Sequence, residues 1–174
     1  MNSSPFPVLT TERLTLRQLS MDDQQDVLAL RADPEINKYL GRQPARTMED
    51  AINFINKVNE YIENNSALYW AITLAGTKKF VGTICLFDFS GDNNSCEIGY
   101  ELMPEFQGQG LMKEATQVVI EYVFQTLKVN KIGAVTHWDN KRSTNLLTKF
   151  NFVKSIENDK ENSDLNIFTL TKQN

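Results

Sequence analysis

Histidine is almost absent from this chain of 174 residues: His137 is the only one, and Cys85 and Cys96 are the only cysteines. Three such ligands with no CxxC spacing do not readily assemble a zinc site, so no metal is expected. The cysteines fall on successive predicted strands and read as reduced thiols, small and buried. No run of about 18 apolar residues occurs, which excludes a membrane-spanning helix. The opening "MNSSPFPV" has neither the charged nor the apolar region of a signal peptide. Excess positive charge is missing too: 18 Lys and Arg against 22 Asp and Glu leave a net charge of −4. That argues against a nucleic-acid binder, which carries a basic stripe, and is mildly compatible with a cationic substrate. These absences point to a cytoplasmic protein with no membrane and no direct nucleic-acid partner.

What is present suits one domain over residues 1–174, with no linker, repeat or low-complexity segment. "ERLTLRQL" alternates with Leu14 and Leu16 on the apolar side and reads as a strand. Ser20 is placed to cap a helix whose first turn holds Asp22 and Asp23, and Pro34 ends it or starts another short turn. Thr47 caps a second helix, in which Ala51, Ile52, Ile55, Val58 and Ile62 form a stripe. "LYWAITL", "KFVGTICLF" and "CEIGYELM" read as an antiparallel meander. A helix marked by Ala115, Val118, Val119, Tyr122, Val123 and Leu127 follows, then the strand "KIGAVTHW" and a short helix from Asp139 or Asn140. Two last strands flank the polar hairpin "NDKENSD". The expected fold class is α+β: a mixed sheet of about seven strands with flanking helices and a right-handed parallel crossover through residues 96–138.

That crossover contains "PEFQGQGLMKEA", with Gly108 and Gly110 at the seam between a strand and a helix. A helix N-terminus leaves N–H groups unpaired and carries partial positive charge. Without Cβ atoms a phosphate approaches those donors closely. The spacing is neither a Walker loop nor GxGxxG. On spacing alone, a plain turn competes with a phosphate cradle.

In context the segment resembles the acetyl-CoA motif of the GNAT superfamily of N-acetyltransferases, and in particular its RimJ/RimL-like branch of ribosomal-protein N-terminal acetyltransferases. The resemblance covers nearly the whole chain in four ordered segments: "TERLTLRQLSMDDQQDVLALRADPEINKYL", "YWAITLAGTKKFVGTICL", "EIGYELMPEFQGQGLMKEA" and "NKRSTNLLTKFNF". It implies a single GNAT domain, acetyl-CoA as cosubstrate and an amine acceptor. The family motif falls on Gln107, Gly108, Gln109, Gly110, Leu111 and Met112, where Met112 is bulkier than the usual small residue. By resemblance these amides bind the coenzyme pyrophosphate, the strand end at Leu102 and Met103 pairs with the pantetheine arm, and Asn140 caps its helix or also bonds a pantetheine amide.

Acetyl transfer needs a base for the amine, a donor for the oxyanion and a donor for the departing thiolate. Glu97 and Glu101 flank Gly99 on one strand face, either as ordinary exposed residues or as an entrance for an amine. The resemblance favours Glu97 as the base, with Glu101 as runner-up. It also implies that Leu147 stands where many relatives carry a proton-donating tyrosine, and that Ser143 is the leaving-group donor. Asn151 occupies the family's glycine position. His137 reads as a structural or surface residue; Tyr69, Trp70 and Tyr100 read as core or cleft-wall aromatics. Neither cysteine has an evident base beside it, which favours direct transfer. The expected acceptor is a protein N-terminal α-amine, such as that of a ribosomal protein. The alternatives are a small amine (polyamine, amino acid, sugar amine or antibiotic) or a non-catalytic acyl-CoA-binding module. Monomer and homodimer stay equally open.

Overall fold

The computed structural model describes residues 5–92, 94–156 and 162–173. Its eight-stranded sheet runs in the order β1-β2-β3-β4-β5-β6-β8-β7. The strands are β1 (Leu9–Thr10), β2 (Leu14–Gln18), β3 (Leu68–Leu74), β4 (Phe80–Phe87), β5 (Ser95–Leu102), β6 (Lys131–His137), β7 (Val153–Lys154) and β8 (Leu165–Thr171). The helices are α1 (Gln24–Ala32), α2 (Pro34–Asn37), α3 (Met48–Glu63), α4 (Leu111–Glu121) and α5 (Lys141–Lys149).

The strand count exceeds the expected seven by the two-residue β1, too short for an alternating pattern to register. The polar hairpin "NDKENSD" lies largely outside the described residues, as does the start of the amino-terminal segment. Ser20 does open a helix, through a reciprocal box with Asp23, but its first turn is 3-10 and α1 proper begins at Gln24. Thr47 caps α3 as its sequence predicts: its side chain accepts from Asp50 N–H, and Asp50 reaches back. α4 does not run unbroken to Leu127; Tyr122–Leu127 widens into π-helical turns that end at Lys128 with φ 60°.

Alternation in the central strands divides the interior. One face packs Leu14, Leu16, Trp70, Ile84, Leu86 and Ile98 under α4. The other packs Ala71 against Leu19, Val27, Leu30, Ala51 and Ile55 of the α1–α3 layer. α4 is tied to the sheet edge by Glu114, which accepts from Arg13 Nε at 2.7 Å and Arg13 N–H at 2.9 Å.

The feature that makes a site is a split in this sheet. β5 and β6 pair in parallel for only three residues: Ser95 with Lys131, Cys96 with Ile132 and Glu97 with Gly133. Beyond that point β5 follows β4 to Leu102, opposite Gly82. β6 follows β8 to His137, opposite Leu165. Each arm keeps its outer hydrogen-bonded partner, so the strands part while their inner edges lose theirs.

Candidate active site

A cavity of about 410 Å³ fills the split. Its walls come from β5 (Gly99, Tyr100, Glu101), β6 (Ala134 to His137), α5 (Asn140, Ser143) and, across the sheet, Arg31, Tyr39, Phe54, Tyr69, Thr83 and Cys85. It therefore connects the α5 side of the sheet with the α1–α3 side.

The inner edge of β5 is the first functional surface. Met103 N–H donates to Val81 O at 2.9 Å, and Met103 O accepts from Phe106 N–H at 3.0 Å. That bond sets the alternation: residues 101 and 103 turn their amides to β4, so Tyr100 and Leu102 turn theirs into the split. Leu102 O is taken by Gln107 Nε2 at 2.9 Å, which leaves the Leu102 N–H facing the gap. Of the two strand-end residues expected to pair with a pantetheine arm, Met103 has its backbone already spent. Leu102 has not.

The glycine loop is a cradle. Gly108 and Gly110 have φ of 77° and 78°, conformations that L side chains rarely adopt. No heavy atom lies within 4 Å of where a Gly108 Cβ would stand. Among the described residues, none of the N–H groups of 108–113 donates within the chain. These are the orphan amides of the start of α4, where the helix dipole favours an anion. Gln109 fixes the loop from both ends: its carbonyl accepts from Arg13 Nη1 at 3.0 Å, and its Nε2 donates to Glu105 O at 2.8 Å. The Gln107 side chain braces the cleft, with its Oε1 also accepting from Arg142 on α5. Met112 keeps its amide in this first turn while its side chain packs against the core, and Leu111 is buried. A coenzyme pyrophosphate fits this donor set.

On the α5 side, Asn140 Oδ1 accepts from Ser143 N–H at 3.2 Å, capping the helix and orienting its first turn. Ser143 Oγ and Tyr100 Oη lie 2.9 Å apart. Burial pushes the Tyr100 phenol up to about 12, against the lowering effect of its bond to Ser143. Leu147 is buried in the core and offers no donor.

On the opposite side the two carboxylates differ. Glu101 lines the cavity, and both its oxygens are held by Arg42, Oε2 at 3.0 Å from Nη2. Glu97 sits at the closed end of the split with its side chain over Gly133, outside the cavity lining. Burial, then the Glu101 charge, push the Cys85 thiol up to about 12, so it is no nucleophile at neutral pH. Burial, with the Glu101 charge adding to it, likewise raises the Tyr69 phenol, which donates to Thr83 Oγ1 at 3.1 Å. His137 lines the cavity; its Nδ1 accepts from Asp139 N–H at 3.1 Å and its ring packs on Tyr39.

The split thus brings together Ser143, Asn140 and Leu102, with the glycine loop at its rim, and leaves Glu97 one strand turn away. Arg31, Arg42, Tyr39 and Phe54 had no signal in the sequence: Tyr39 and Arg42 lie in a loop with no period to read, and Arg31 and Phe54 are helical positions outside the apolar stripes.

Comparison with known proteins matches this geometry. The sequence model of the acetyltransferase (GNAT) domain matches residues 13–153. An uncharacterized N-acetyltransferase, YoaA of Bacillus subtilis, is 34% identical over 149 residues, covering 86% of this chain and 84% of its own. The ribosomal protein uS5-alanine N-acetyltransferase of Escherichia coli is 32% identical over 104 residues, 58% of this chain and 52% of its own. Among solved structures, RimL, a ribosomal L7/L12 α-N-protein acetyltransferase in complex with coenzyme A, superposes with a TM-score of 0.85 at 16% identity, covering 95% of this chain and 98% of its own. A Vibrio cholerae spermidine N-acetyltransferase with CoA and spermine gives 0.80 at 22% identity, covering 92% and 96%.

Proposed function

Since the chain belongs to the GNAT acetyltransferase family, we propose that it moves an acetyl group directly from acetyl-CoA to the α-amine at a protein N-terminus. That it is an acetyl-CoA-dependent N-acetyltransferase with an amine acceptor follows from the family itself. The finer reading of the acceptor is supported by one observation. The central cavity shares Arg31 and Phe54 with a second recess of about 400 Å³, lined by Gln43, Pro44, Ala45, Arg46 and Asp50. A peptide continuing from the amine has somewhere to go. The ribosomal-protein enzymes among its relatives favour the same acceptor.

In this reading the amides of 108–113 hold the pyrophosphate, and the exposed backbone of Tyr100 pairs with the pantetheine arm. The cosubstrate supplies an acyl thioester, whose carbonyl lies in the split. Glu97 takes the amine proton through water; it shares a strand face with the cavity-lining Gly99, about 7 Å along. An α-amine has a pKa near 8, so its deprotonation asks little at neutral pH. The amine nitrogen then bonds the carbonyl carbon while the Leu102 N–H stabilises the oxyanion. The C–S bond breaks, the new amide nitrogen sheds its extra proton to the departing thiolate, and Ser143, backed by Tyr100, stabilises that thiolate with a hydrogen bond. Cys85, with its raised pKa, leaves no place for an acetyl-cysteine step. The two unpaired thiols are in keeping with a cytoplasmic enzyme.

The test is mass spectrometry of acetyl products from a panel of N-terminal peptides and small amines. Acetyl groups on peptide α-amines support the reading. Acetylation confined to spermidine, amino acids or sugar amines overturns it and leaves the small-amine alternative.

A further inference from the structure

The cavity wall carries two formal charges, Arg31 and Glu101. Glu101 is answered on both oxygens by Arg42. Arg31 is not answered. Among the described residues its guanidinium makes no hydrogen bond or ion pair. It lies instead over the Phe54 ring, 3.7 Å from the centroid, and Phe54 meets Tyr69 edge-on at 5.5 Å. Burial, then the neighbouring Arg42 charge, hold the Arg31 pKa below the usual arginine range despite a partial offset from the nearby Glu101 charge, so its charge is disfavoured where it stands. Arginine nonetheless stays protonated, with five donors in a fixed planar fork. Stacking uses the face of that fork and leaves its edge donors available.

Arg31 also stands on the boundary between the central cavity and the second recess, and contributes to both walls. The recess adds Arg46; its one carboxylate, Asp50, is engaged by the N–H groups of Arg46 and Thr47 at 2.8 and 2.9 Å. The acceptor side of the site therefore holds more positive than negative charge, although the chain as a whole is acidic. A polyamine, whose second ammonium would face Arg31, is a poor match. A group that brings an anion completes the fork.

We propose that Arg31 recognises a carboxylate or phosphate carried by the acceptor within about two residues, roughly 7 Å, of the amine that is acetylated. For a peptide acceptor this means an acidic or phosphorylated residue at the first or second position; for a small molecule, an amino acid or amino phosphate rather than a polyamine. The inference rests on the N-acetyltransferase reading but not on the acceptor being a protein.

The test measures kcat/KM with acetyl-CoA for matched acceptors. Peptides with Asp or Glu at position one or two are compared with their Asn or Gln counterparts and with Lys. Free glutamate is compared with glutamine diamide-type analogues lacking the carboxylates, and spermidine is added. A tenfold to hundredfold preference for the anionic member of each pair is expected, matching a charge-assisted hydrogen bond. Arg31→Gln should lower kcat/KM for the anionic member of each pair to that of its amide counterpart, mainly through KM, and Arg31→Lys should retain part of the preference. Equal or better use of neutral or cationic acceptors by the wild-type enzyme overturns the proposal, whatever the variants do. So does a preference that survives Arg31→Gln. If only small anionic amines are acetylated, the inference holds and the protein N-terminal reading falls. If peptides are acetylated without regard to charge, the reverse is true. Acetylation of none of these acceptors counts against both.

Discussion

Replacing Ser143 by alanine should slow acetyl transfer about 10- to 150-fold, and the structure says why the loss is of that size. Ser143 Oγ and Tyr100 Oη are 2.9 Å apart at the cavity wall. The buried Tyr100 phenol is pushed up to about 12. An ordinary thiol sits near 8.5, so full proton transfer from this phenol to the thiolate is uphill by about 3.5 pKa units, or ~5 kcal/mol. The pair therefore stabilises the leaving group by a hydrogen bond rather than by giving up a proton. A hydrogen bond to a charged group is worth about 1.5–3 kcal/mol, which converts to the stated range in rate. Tyr100→Phe removes only the support behind Ser143, a neutral bond of about 1 kcal/mol, and should cost about fivefold. In a Ser143→Ala background the tyrosine change should cost nothing more. Single-turnover acetyl transfer at saturating acceptor is the assay, because product release does not then mask chemistry. Two results refute the reasoning: a Ser143→Ala rate within threefold of wild type, or fully additive losses in the double variant.

Gly110→Trp should abolish acetyl-CoA binding in calorimetry, since a φ of 78° opposes any side chain and the strain would shift the amides beside it; retained affinity would show that the pyrophosphate lies elsewhere. Glu97→Gln should lower the rate about 100-fold or more at neutral pH with a smaller loss at high pH, whereas Glu101→Gln should act mainly on acceptor KM by freeing Arg42; an intact Glu97→Gln rate across pH removes it as the base. Asp23 is 3% exposed. Burial raises its pKa, but the bonds from Arg17 and Ser20 more than offset this and leave it lowered. A lowered carboxylate stabilises the fold above its unfolded value of about 3.9 and stops doing so as pH falls through the folded value. Asp23→Asn should therefore cost about 3 kcal/mol in denaturant unfolding at pH 7, with the gap from wild type closing below about pH 4; a pH-independent difference would contradict this.

Much of the fold was legible because periodicity and caps are local. Thr47 as a cap, the stripe through Ala51, Ile55, Val58 and Ile62, and the meander from Leu68 to Leu102 could be read from the sequence alone. The π-helical turns at Tyr122–Leu127 could not, since apolar steps of three and four do not record one inserted residue. The glycine loop stood out in the sequence, and the unpaired amides beside Gly108 and Gly110 follow from where a strand gives way to a helix.

What the sequence by itself determined, then, is the set of elements and the chemistry of single positions: two glycines at a strand–helix seam, a serine and an asparagine opening α5, and carboxylates spaced along β5. Which of these groups meet was decided by tertiary structure. Tyr100 and Ser143 are 43 positions apart and touch only because β5 and β6 part after three paired residues. Arg42 reaches Glu101 across 59 positions, while the Arg31 guanidinium stacks on Phe54. Strand pairing length and loop placement depend on the balance of packing over the whole sheet, and no local pattern of residues carries that balance.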